Sequence, residues 1–380
     1  MNVTSVTNDG DLLWTPSPDK VAAANLTAFT GWLARERGLR LDSYDALWSW
    51  SVTDLPGFWQ SIWDYCGVRS SAPATGVLAD RHMPGAQWFP GARLNYAEHV
   101  LRNERPGTNA LLSCGESTPL TAMAWETLAG QVRVLATRLR ELGVRPGDRV
   151  VACLPNIPHA VVAMLATTSV GAIWASCSPD FGWRGVIDRF SQLTPKVLFC
   201  ADGYRYGGRE FDRTEEMREI IGALTSVEHV VSVPYLRPDD AGPVVAGGMT
   251  WDAALDHPPV PAAGFGFEQV PFGHPLWILF SSGTTGLPKP IVHSHGGILL
   301  EQLKLQRFHM DLRAGDRMFF FTTTGWMMWN FLVSSLLLGV CPVLYDGNPA
   351  YPGPGVLWQV AADAGVSLFG ASHRSCLTLR

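Results

Sequence analysis

The sequence predicts an α/β protein whose mostly parallel β-sheets are covered by helices. Short, continuously apolar segments alternate along the chain with segments whose apolar residues recur at helical spacing. Continuous apolar strands between amphipathic helices are typical of parallel sheets that are buried on both faces. The 380-residue chain is also 47% apolar and 17% charged, which is enough apolar material for a large core. We expect one large unit with sublobes, or two domains that share an extensive interface.

The first round of alternation begins near residue 120. Residues 127–142 carry Leu128, Val132, Leu135 and Leu139 at helical spacing, and Gly143 ends this predicted helix. After a Pro-Gly-Asp turn, the pattern predicts a strand at 150–154, a helix near 159–170, a strand at 197–200, a helix near 215–224 and a strand at 230–233. Residues 234–270 are rich in Pro and Gly and weakly periodic, which predicts a loop or a junction between sublobes.

A second round follows this junction. The pattern predicts strands at 276–280, 291–292, 318–321, 343–345 and 366–369. It also predicts three helices: one that begins at about 297, one that ends at 338, and one near 356–364. The apolar run 326–340 is shorter than the ~20 residues that cross a bilayer, and it contains Asn330. We therefore expect a buried helix in this run.

The N-terminal residues 1–105 form a segment of different composition. They contain seven tryptophans of the fifteen in the chain. Because tryptophan rings bury a large area, we expect this segment to wrap around a larger body and to be anchored by its rings. We place the main domain at 106–380, with the junction near 234–270 inside it.

Composition and charge exclude several function classes. The net charge is −5 and no basic run occurs, so neither nucleic acid nor a membrane is an expected partner. Residues 1–11 lack the charged and apolar parts of a secretory signal. The seven cysteines are scattered and never spaced Cys-x-x-Cys, which indicates reduced thiols in a cytoplasmic protein and no metal site. The oligomeric state stays open.

The most informative run is residues 281–290, which follows an apolar strand directly. Its glycines permit the close approach of a bulky anion, its hydroxyl and backbone N–H groups are donors, and its lysine adds a positive charge. This composition suits a polyphosphate, although a polar surface turn has a similar composition. The predicted ATP-binding residues are Ser281, Ser282, Gly283, Thr284, Thr285, Gly286 and Lys289.

This run differs from a Walker A loop, whose lysine opens a helix. Pro288 and Pro290 flank Lys289, and Pro290 favours an extended backbone at Lys289. The sequence therefore predicts a strand, a loop and a second strand. Without a helix N-terminus to hold phosphate rigidly, we expect the loop to move during turnover.

Residues 281–290 closely resemble the signature of the adenylate-forming superfamily, which includes the acyl-CoA synthetases. The segment 88–98 is similar to the N-terminal segment of acetyl-CoA and acetoacetyl-CoA synthetases, and the segments 178–182, 188–192, 272–276 and 325–330 resemble the acetoacetyl-CoA branch. The resemblance extends from about residue 44 to about residue 370. It implies the large N-terminal body of an adenylate-forming enzyme.

The resemblance also implies an ATP-dependent ligase that activates acetoacetate. The carboxylate attacks the α-phosphate of ATP and releases pyrophosphate, and the thiol of coenzyme A then displaces AMP. The implied substrates besides the acid are ATP and coenzyme A, and the implied cofactor is Mg²⁺, which would bridge phosphates. In this resemblance, Lys289 supplies the catalytic charge of the phosphate loop. Acetate or butyrate is an alternative acyl substrate.

The resemblance places Trp326, Met327, Met328 and Asn330 near the acyl pocket. Packing in the core is the alternative for this apolar helix, but a buried Asn330 amide needs partners. Either Asn330 or the indole N–H of Trp326 could donate to the 3-keto oxygen of acetoacetate.

For coenzyme A, the resemblance suggests Arg205 and Arg209, whose forked guanidinium groups suit phosphate. Their spacing is one residue longer than in the acetyl-specific branch. We interpret His293, His295 and His373 as structural or pocket-lining residues, because an ionised carboxylate needs no general base to attack ATP.

Other parts of the family pattern do not occur in residues 1–380: a magnesium-holding Glu, a ribose-binding Asp, a hinge, and a small C-terminal domain with the main catalytic Lys. We therefore expect the N-terminal part of such an enzyme, inactive alone. A non-catalytic nucleotide- or partner-binding remnant is one rival interpretation. An ordinary phosphotransferase is the other, and it is disfavoured because no Walker B partner or kinase-type Asp motif accompanies the loop.

Overall fold

The computed structural model describes residue 12 and residues 14–239, 242–281 and 286–371. Its α-helices are α1 (Pro18–Ala23), α2 (Asn25–Glu36), α3 (Tyr44–Thr53), α4 (Leu55–Tyr65), α5 (Tyr96–Leu101), α6 (Trp125–Glu141), α7 (Pro158–Ser169), α8 (Trp183–Phe190), α9 (Thr214–Ala223), α10 (Trp251–Leu255), α11 (His295–Lys304), α12 (Met327–Val333) and α13 (Val356–Asp363). Shorter helical turns follow α8 at Ser191–Leu193, α11 at Leu305–His309 and α12 at Ser334–Leu338.

The strands are short and are distributed along the whole described chain. They are β1 (Leu78–Asp80), β2 (Gln87–Trp88), β3 (Arg93–Leu94), β4 (Asn109–Gly115), β5 (Thr121–Ala124), β6 (Arg149–Cys153), β7 (Ile173–Cys177), β8 (Val197–Ala201), β9 (Gly203–Tyr206), β10 (Arg209–Asp212), β11 (His229–Val233), β12 (Met249–Thr250), β13 (Val270–Pro271), β14 (Pro275–Ser281), β15 (Lys289–Ser294), β16 (Arg317–Phe320), β17 (Cys341–Asp346) and β18 (Leu368–Gly370).

Two mainly parallel sheets form the frame. The larger has the order β12-β11-β8-β6-β7-β14-β15, and every neighbouring pair is parallel except the edge pair β14–β15. The smaller has the order β18-β16-β17-β4-β5, and only the edge pair β4–β5 is antiparallel. The predicted α/β architecture with parallel-type sheets covered by helices is confirmed.

Helices α6 and α7 illustrate why the chain folds in this way. The four apolar residues predicted at helical spacing in α6 are completely buried, and Gly143 follows the helix with φ +78°, a backbone that glycine adopts at little cost. In α7 every residue from 160 to 169 is buried. A helix that is apolar all round belongs inside the fold, and α7 packs in the same core as residues of both sheets.

The N-terminal segment packs on the main body through aromatic rings, as predicted. Phe29 of α2 stacks on Phe308 at a ring-centroid distance of 4.7 Å. Trp63 of α4 stacks on Phe89 at 4.6 Å and faces Phe272 at 6.4 Å. Because Phe272 and Phe308 belong to the main body, these rings attach the segment to it.

The apolar run 326–340 forms α12 and the turn Ser334–Leu338, with residues 329–338 buried. The predicted buried helix is confirmed, although Trp326 and Met327 at the start of the run are exposed. Within the described ranges, no helix combines the length and the apolar character needed to span a membrane. The predicted loop at 234–270 contains β12, α10 and the start of β13, and the predicted strand at 366–369 begins two residues later.

Candidate functional site

The loop at 281–290 joins two antiparallel neighbours at the edge of the larger sheet. Ser281, the last residue of β14, pairs with Lys289, the first residue of β15. The predicted strand–loop–strand arrangement is confirmed. Ser282, Gly283, Thr284 and Thr285 lie outside the described residues, so their predicted contacts with phosphate stay predictions.

The far end of the loop is held by its own backbone and by one side chain. Gly286 has φ +109°, a conformation that strongly favours glycine. The side-chain amide of Gln192 donates a 3.0 Å hydrogen bond to the carbonyl of Pro288. Lys289 is exposed and forms no ion pair with a carboxylate in the described part of the chain. Its ammonium group is therefore available to an anion.

A cavity of about 570 Å³ opens at the start of this loop. Its lining combines aromatic rings, hydroxyl groups and one cation, and consists of Phe181, Arg189, Phe280, Ser281, Phe321, Thr322, Thr323, Gly325 and Trp326. This size and mixture are typical of a site for a small organic ligand. A slightly larger cavity, of about 640 Å³, lies beside the segment 85–93 but contains none of the predicted site residues.

The cavity brings together two of the predicted groups, Ser281 of the phosphate loop and Trp326 of the acyl pocket. Trp326 immediately precedes α12 and is 46% exposed. Met327 is exposed, whereas Met328 packs against the main core. Neither methionine belongs to the lining, so only Trp326 of the four predicted acyl-pocket residues lines this cavity.

Asn330, on α12, is 2% exposed, and neither atom of its side-chain amide has a hydrogen-bond partner. This differs from its neighbour Trp329, whose indole N–H donates a 3.0 Å bond to the side-chain oxygen of Asn156. Buried amides without partners are rare because desolvation is costly. Asn330 does not line the cavity, so its predicted contact with a keto oxygen stays a prediction.

Arg189 is a cavity residue that sequence reasoning did not assign to the site. Its guanidinium carbon lies 4.8 Å from the ring centroid of Phe181, and one of its nitrogens donates a 2.6 Å bond to the carbonyl of Gly185. Arg189 supplies the positive charge of the lining. The segments 178–182 and 188–192, which contain both residues, carried the signal that could have found them.

The predicted CoA-binding arginines lie on the hairpin β9–β10, apart from this cavity lining. Arg205 forms an ion pair with Glu210 at 2.6 Å and donates to the hydroxyl of Ser117 at 3.2 Å. The guanidinium of Arg209 lies over the ring of Phe211 at 5.6 Å. The structure thus gathers the two arginines on one hairpin but not at the phosphate loop.

The two described histidines near the loop have structural surroundings. His295 is fully buried, its Nδ1 accepts a 3.1 Å bond from the backbone N–H of Tyr96, and burial lowers its pKa to about 3. Nδ1 of His293 accepts a 3.0 Å bond from the indole of Trp277, and burial lowers its pKa as well. Both are neutral hydrogen-bond acceptors here. His373 lies outside the described residues.

Comparison with known proteins identifies the family. A family model described as AMP-binding enzyme matches residues 100–376. The chain belongs to the AMP-binding enzyme family. A second model, described as the acetyl-coenzyme A synthetase N-terminus, matches residues 44–100. The predicted membership of the adenylate-forming superfamily is confirmed, and the division of the chain at residue 105 stays a prediction.

Individual family members agree with this assignment. A solved structure of an acetoacetyl-CoA synthetase from Streptomyces lividans is 49% identical, with a TM-score of 0.92 over 96% of this chain and 56% of that chain. An acetoacetyl-coenzyme A synthetase from Rhizobium meliloti (strain 1021) is 44% identical over 95% of this chain and 55% of the relative. A malonamoyl-CoA synthetase from Penicillium aethiopicum is 36% identical over 95% of this chain and 53% of the relative. The chain spans about half the length of the curated relatives that it matches.

Proposed function

We propose that this chain forms the ATP- and acyl-binding part of a ligase that converts acetoacetate, ATP and coenzyme A to acetoacetyl-CoA, AMP and pyrophosphate. The observation that carries the proposal is the cavity that Ser281 of the loop shares with Trp326. The relatives at 49% and 44% identity are both named acetoacetyl-CoA synthetases, which supports the choice of acid. Acetate or butyrate is the alternative acid.

In the first step, a carboxylate oxygen of acetoacetate forms a bond to the α-phosphorus of ATP, and the bond to the pyrophosphate oxygen breaks. The ammonium group of Lys289 and the N–H and hydroxyl groups of the loop offset charge on the departing phosphates. In the second step, the CoA sulfur attacks the acyl carbon, AMP leaves, and the thiol proton passes to solvent. The aromatic lining of the cavity keeps water from the acyl-adenylate.

Magnesium enters this proposal only with the phosphates of ATP. The described ranges contain no group of three His, Cys, Asp or Glu side chains arranged to hold a metal ion. The residues in these described ranges therefore provide no metal site of their own.

We also propose a cytoplasmic location, which is supported by the free thiols of the six described cysteines. A non-catalytic remnant that binds nucleotide or a partner is the second candidate, and it differs from the first in having no acyl site.

Binding of a stable acyl-adenylate mimic tests the proposal without requiring turnover. The sulfamate analogue of acetoacetyl-adenylate should bind the 380-residue chain at least about tenfold more tightly than AMP, because transition-state and intermediate mimics use the acyl and nucleotide sites together. Titration calorimetry measures both affinities. Equal affinity for the analogue and AMP would favour the nucleotide-binding remnant and reject an acyl site.

A further inference from the structure

The tip of the β9–β10 hairpin is built from two consecutive glycines. Gly207 and Gly208 have φ +63° and +74°, and they connect the paired residues Tyr206 and Arg209. Two positive φ values in a two-residue hairpin loop define a turn that suits Gly-Gly. The backbone N–H groups of both glycines are available at the tip.

The carboxylate of Glu116 binds these N–H groups. Its Oε1 accepts bonds from the backbone N–H groups of Gly207 and Asn348, both at 2.7 Å, and its Oε2 accepts from Gly208 at 2.8 Å. Glu116 follows β4 and Asn348 follows β17, so both lie just beyond the ends of two neighbouring strands of the smaller sheet. One carboxylate therefore attaches the hairpin tip to the ends of two neighbouring strands. Bonds of this charge-assisted kind are short and strong.

Close packing leaves little freedom around this contact. A β-carbon on Gly347, which has φ +147°, would lie 2.5 Å from Cγ of Glu116. A β-carbon on Gly208 would lie 2.6 Å from the hydroxyl oxygen of Tyr351. Both positions therefore require glycine, and the carboxylate is enclosed by backbone on the sheet side and on the hairpin side.

The same short segment also contacts one of the arginines. Ser117, next to Glu116, accepts a 3.2 Å bond from the guanidinium of Arg205. Arg209 directly follows the two glycines. Residues 116–117 thus fix both the tip of the hairpin and the cation on its first strand, although they are separated from the hairpin by about 90 residues of sequence.

We propose that Glu116 is a positioning residue that fixes Arg205 and Arg209 for the phosphate groups of coenzyme A. This inference rests on the proposed function, which supplies the CoA step, and on the predicted assignment of Arg205 and Arg209 to CoA. Glu116 does not touch the ligand; it acts through the hairpin. A hairpin released from Glu116 would have to be ordered when CoA binds, and that ordering lowers the affinity for CoA while leaving the ATP site intact.

Glu116→Gln tests this inference in the 380-residue chain. The Gln side chain retains one acceptor oxygen, but its NH₂ group then faces backbone N–H donors, either that of Gly208 or those of Gly207 and Asn348. CoA should bind about tenfold more weakly, with the dissociation constant for ATP unchanged within about twofold, because roughly one charge-assisted bond is lost. Glu126→Gln is the matched control, since Glu126 also accepts a backbone bond from a glycine, Gly107, at 2.6 Å.

Two further readouts separate positioning from general stability. Amide hydrogen exchange at Gly207, Gly208 and Asn348 should accelerate in Glu116→Gln while the melting temperature stays near that of Glu126→Gln. Adding Glu116→Gln to Arg205→Ala/Arg209→Ala should cost little further CoA affinity, because coupled residues are not additive.

The outcomes distinguish the two proposals. Loss of ATP and CoA affinity together, or unchanged CoA affinity in Glu116→Gln, overturns the role of Glu116 and leaves the proposed function standing. Failure of the unmodified chain to bind CoA, with ATP bound normally, overturns the assignment of the hairpin to CoA, and the inference falls with it.

Discussion

The hydroxyl of Tyr235 donates a 2.8 Å hydrogen bond to the carboxylate of Asp346 and thereby connects the two main sheets. Tyr235 follows β11 of the larger sheet, and Asp346 is the last residue of β17 in the smaller one. Burial raises the pKa of Asp346 to about 6, although the bond from Tyr235 lowers it, and the nearby carboxylates of Asp180 and Glu116 raise it further.

Because of this raised pKa, we expect the ionised form of Asp346 to lower the free energy of unfolding, so that stability depends on pH. The pKa of Asp346 is about 6 in the folded chain against 3.8 for an ordinary Asp, so the stability that it contributes below pH 4 is lost as the pH rises through 6. Asp346→Asn should therefore be more stable than the unmodified chain at pH 7 by about 3 kcal/mol, with the difference shrinking toward pH 4. Urea unfolding at both pH values measures it. A difference that does not change with pH would contradict this explanation.

The lowered pKa of His99 predicts that the free energy of unfolding falls as the pH is lowered, which is the opposite direction from Asp346. Its Nδ1 donates to the carbonyl of Asn95 at 2.7 Å, its Nε2 accepts from the backbone N–H of Arg69 at 3.0 Å, and burial lowers its pKa to about 4. Stability that is present above the ordinary value of 6.5 is lost as the pH falls toward 4. In His99→Gln, the free energy of unfolding that is lost on acidification should be smaller by about 3 kcal/mol. The same substitution at the exposed His82 is the control, and an equal reduction there would reject the assignment.

We expect the substitution Asn330→Leu to raise the stability of the chain and to weaken its preference for the acetoacetyl group. Removal of two buried polar atoms without partners should raise the free energy of unfolding by about 1–3 kcal/mol. Affinity for the acetoacetyl-adenylate analogue should fall more than for the butyryl analogue, because only the former has a 3-keto oxygen. Asn103→Leu is the control, since Asn103 donates to the carbonyls of Leu336 and Leu337 and its removal should destabilise the chain. Equal losses for both analogues would mean that Asn330 only packs, and Trp326→Phe would be tested next.

Lys289→Ala predicts a specific loss at the phosphate loop. Lys289 is exposed at the start of β15 and pairs through the backbone with Ser281. Without its charge, ATP affinity should fall by about tenfold, whereas AMP, which lacks the β- and γ-phosphates, should bind almost unchanged. Lys20→Ala, at another exposed lysine, is the control. Unchanged ATP affinity would remove Lys289 from the site.

Sequence reasoning predicted the elements whose signals are local. The spacing of Leu128, Val132 and Leu135 predicted α6 to within two residues at its start, and the prolines around Lys289 predicted the second strand of the loop. Strand β7 (Ile173–Cys177) was missed, although the short apolar run after Gly171 is a usable signal. The hairpin β9–β10 was missed as well, despite its Gly-Gly turn.

The contacts that build the site were harder to predict from the sequence. Glu116 meets Asn348 because β4 and β17 are neighbours in the smaller sheet, and it meets Gly207 because the separate hairpin β9–β10 packs beside them. No local pattern encodes either arrangement. Arg189 of α8 lines the cavity, and Gln192, in the turn after α8, donates to Pro288 of the loop. Met327 is exposed and Met328 packs against the main core, so neither methionine of α12 lines the cavity. Residue types predicted the chemistry, whereas the topology decided which side chains meet.

The most direct test of the proposed function is thioester formation by a chimera. Residues 1–371 are joined to the part of the Streptomyces lividans chain that this chain does not match, and the product is given ATP, magnesium, coenzyme A and a short acid. We expect equal amounts of AMP and acetoacetyl-CoA, a higher kcat/KM for acetoacetate than for acetate or butyrate, and at least about a tenfold loss in Lys289→Ala. A cooperatively folded chimera that releases AMP without acetoacetate, or that phosphorylates the acid and releases ADP, would contradict the proposed function.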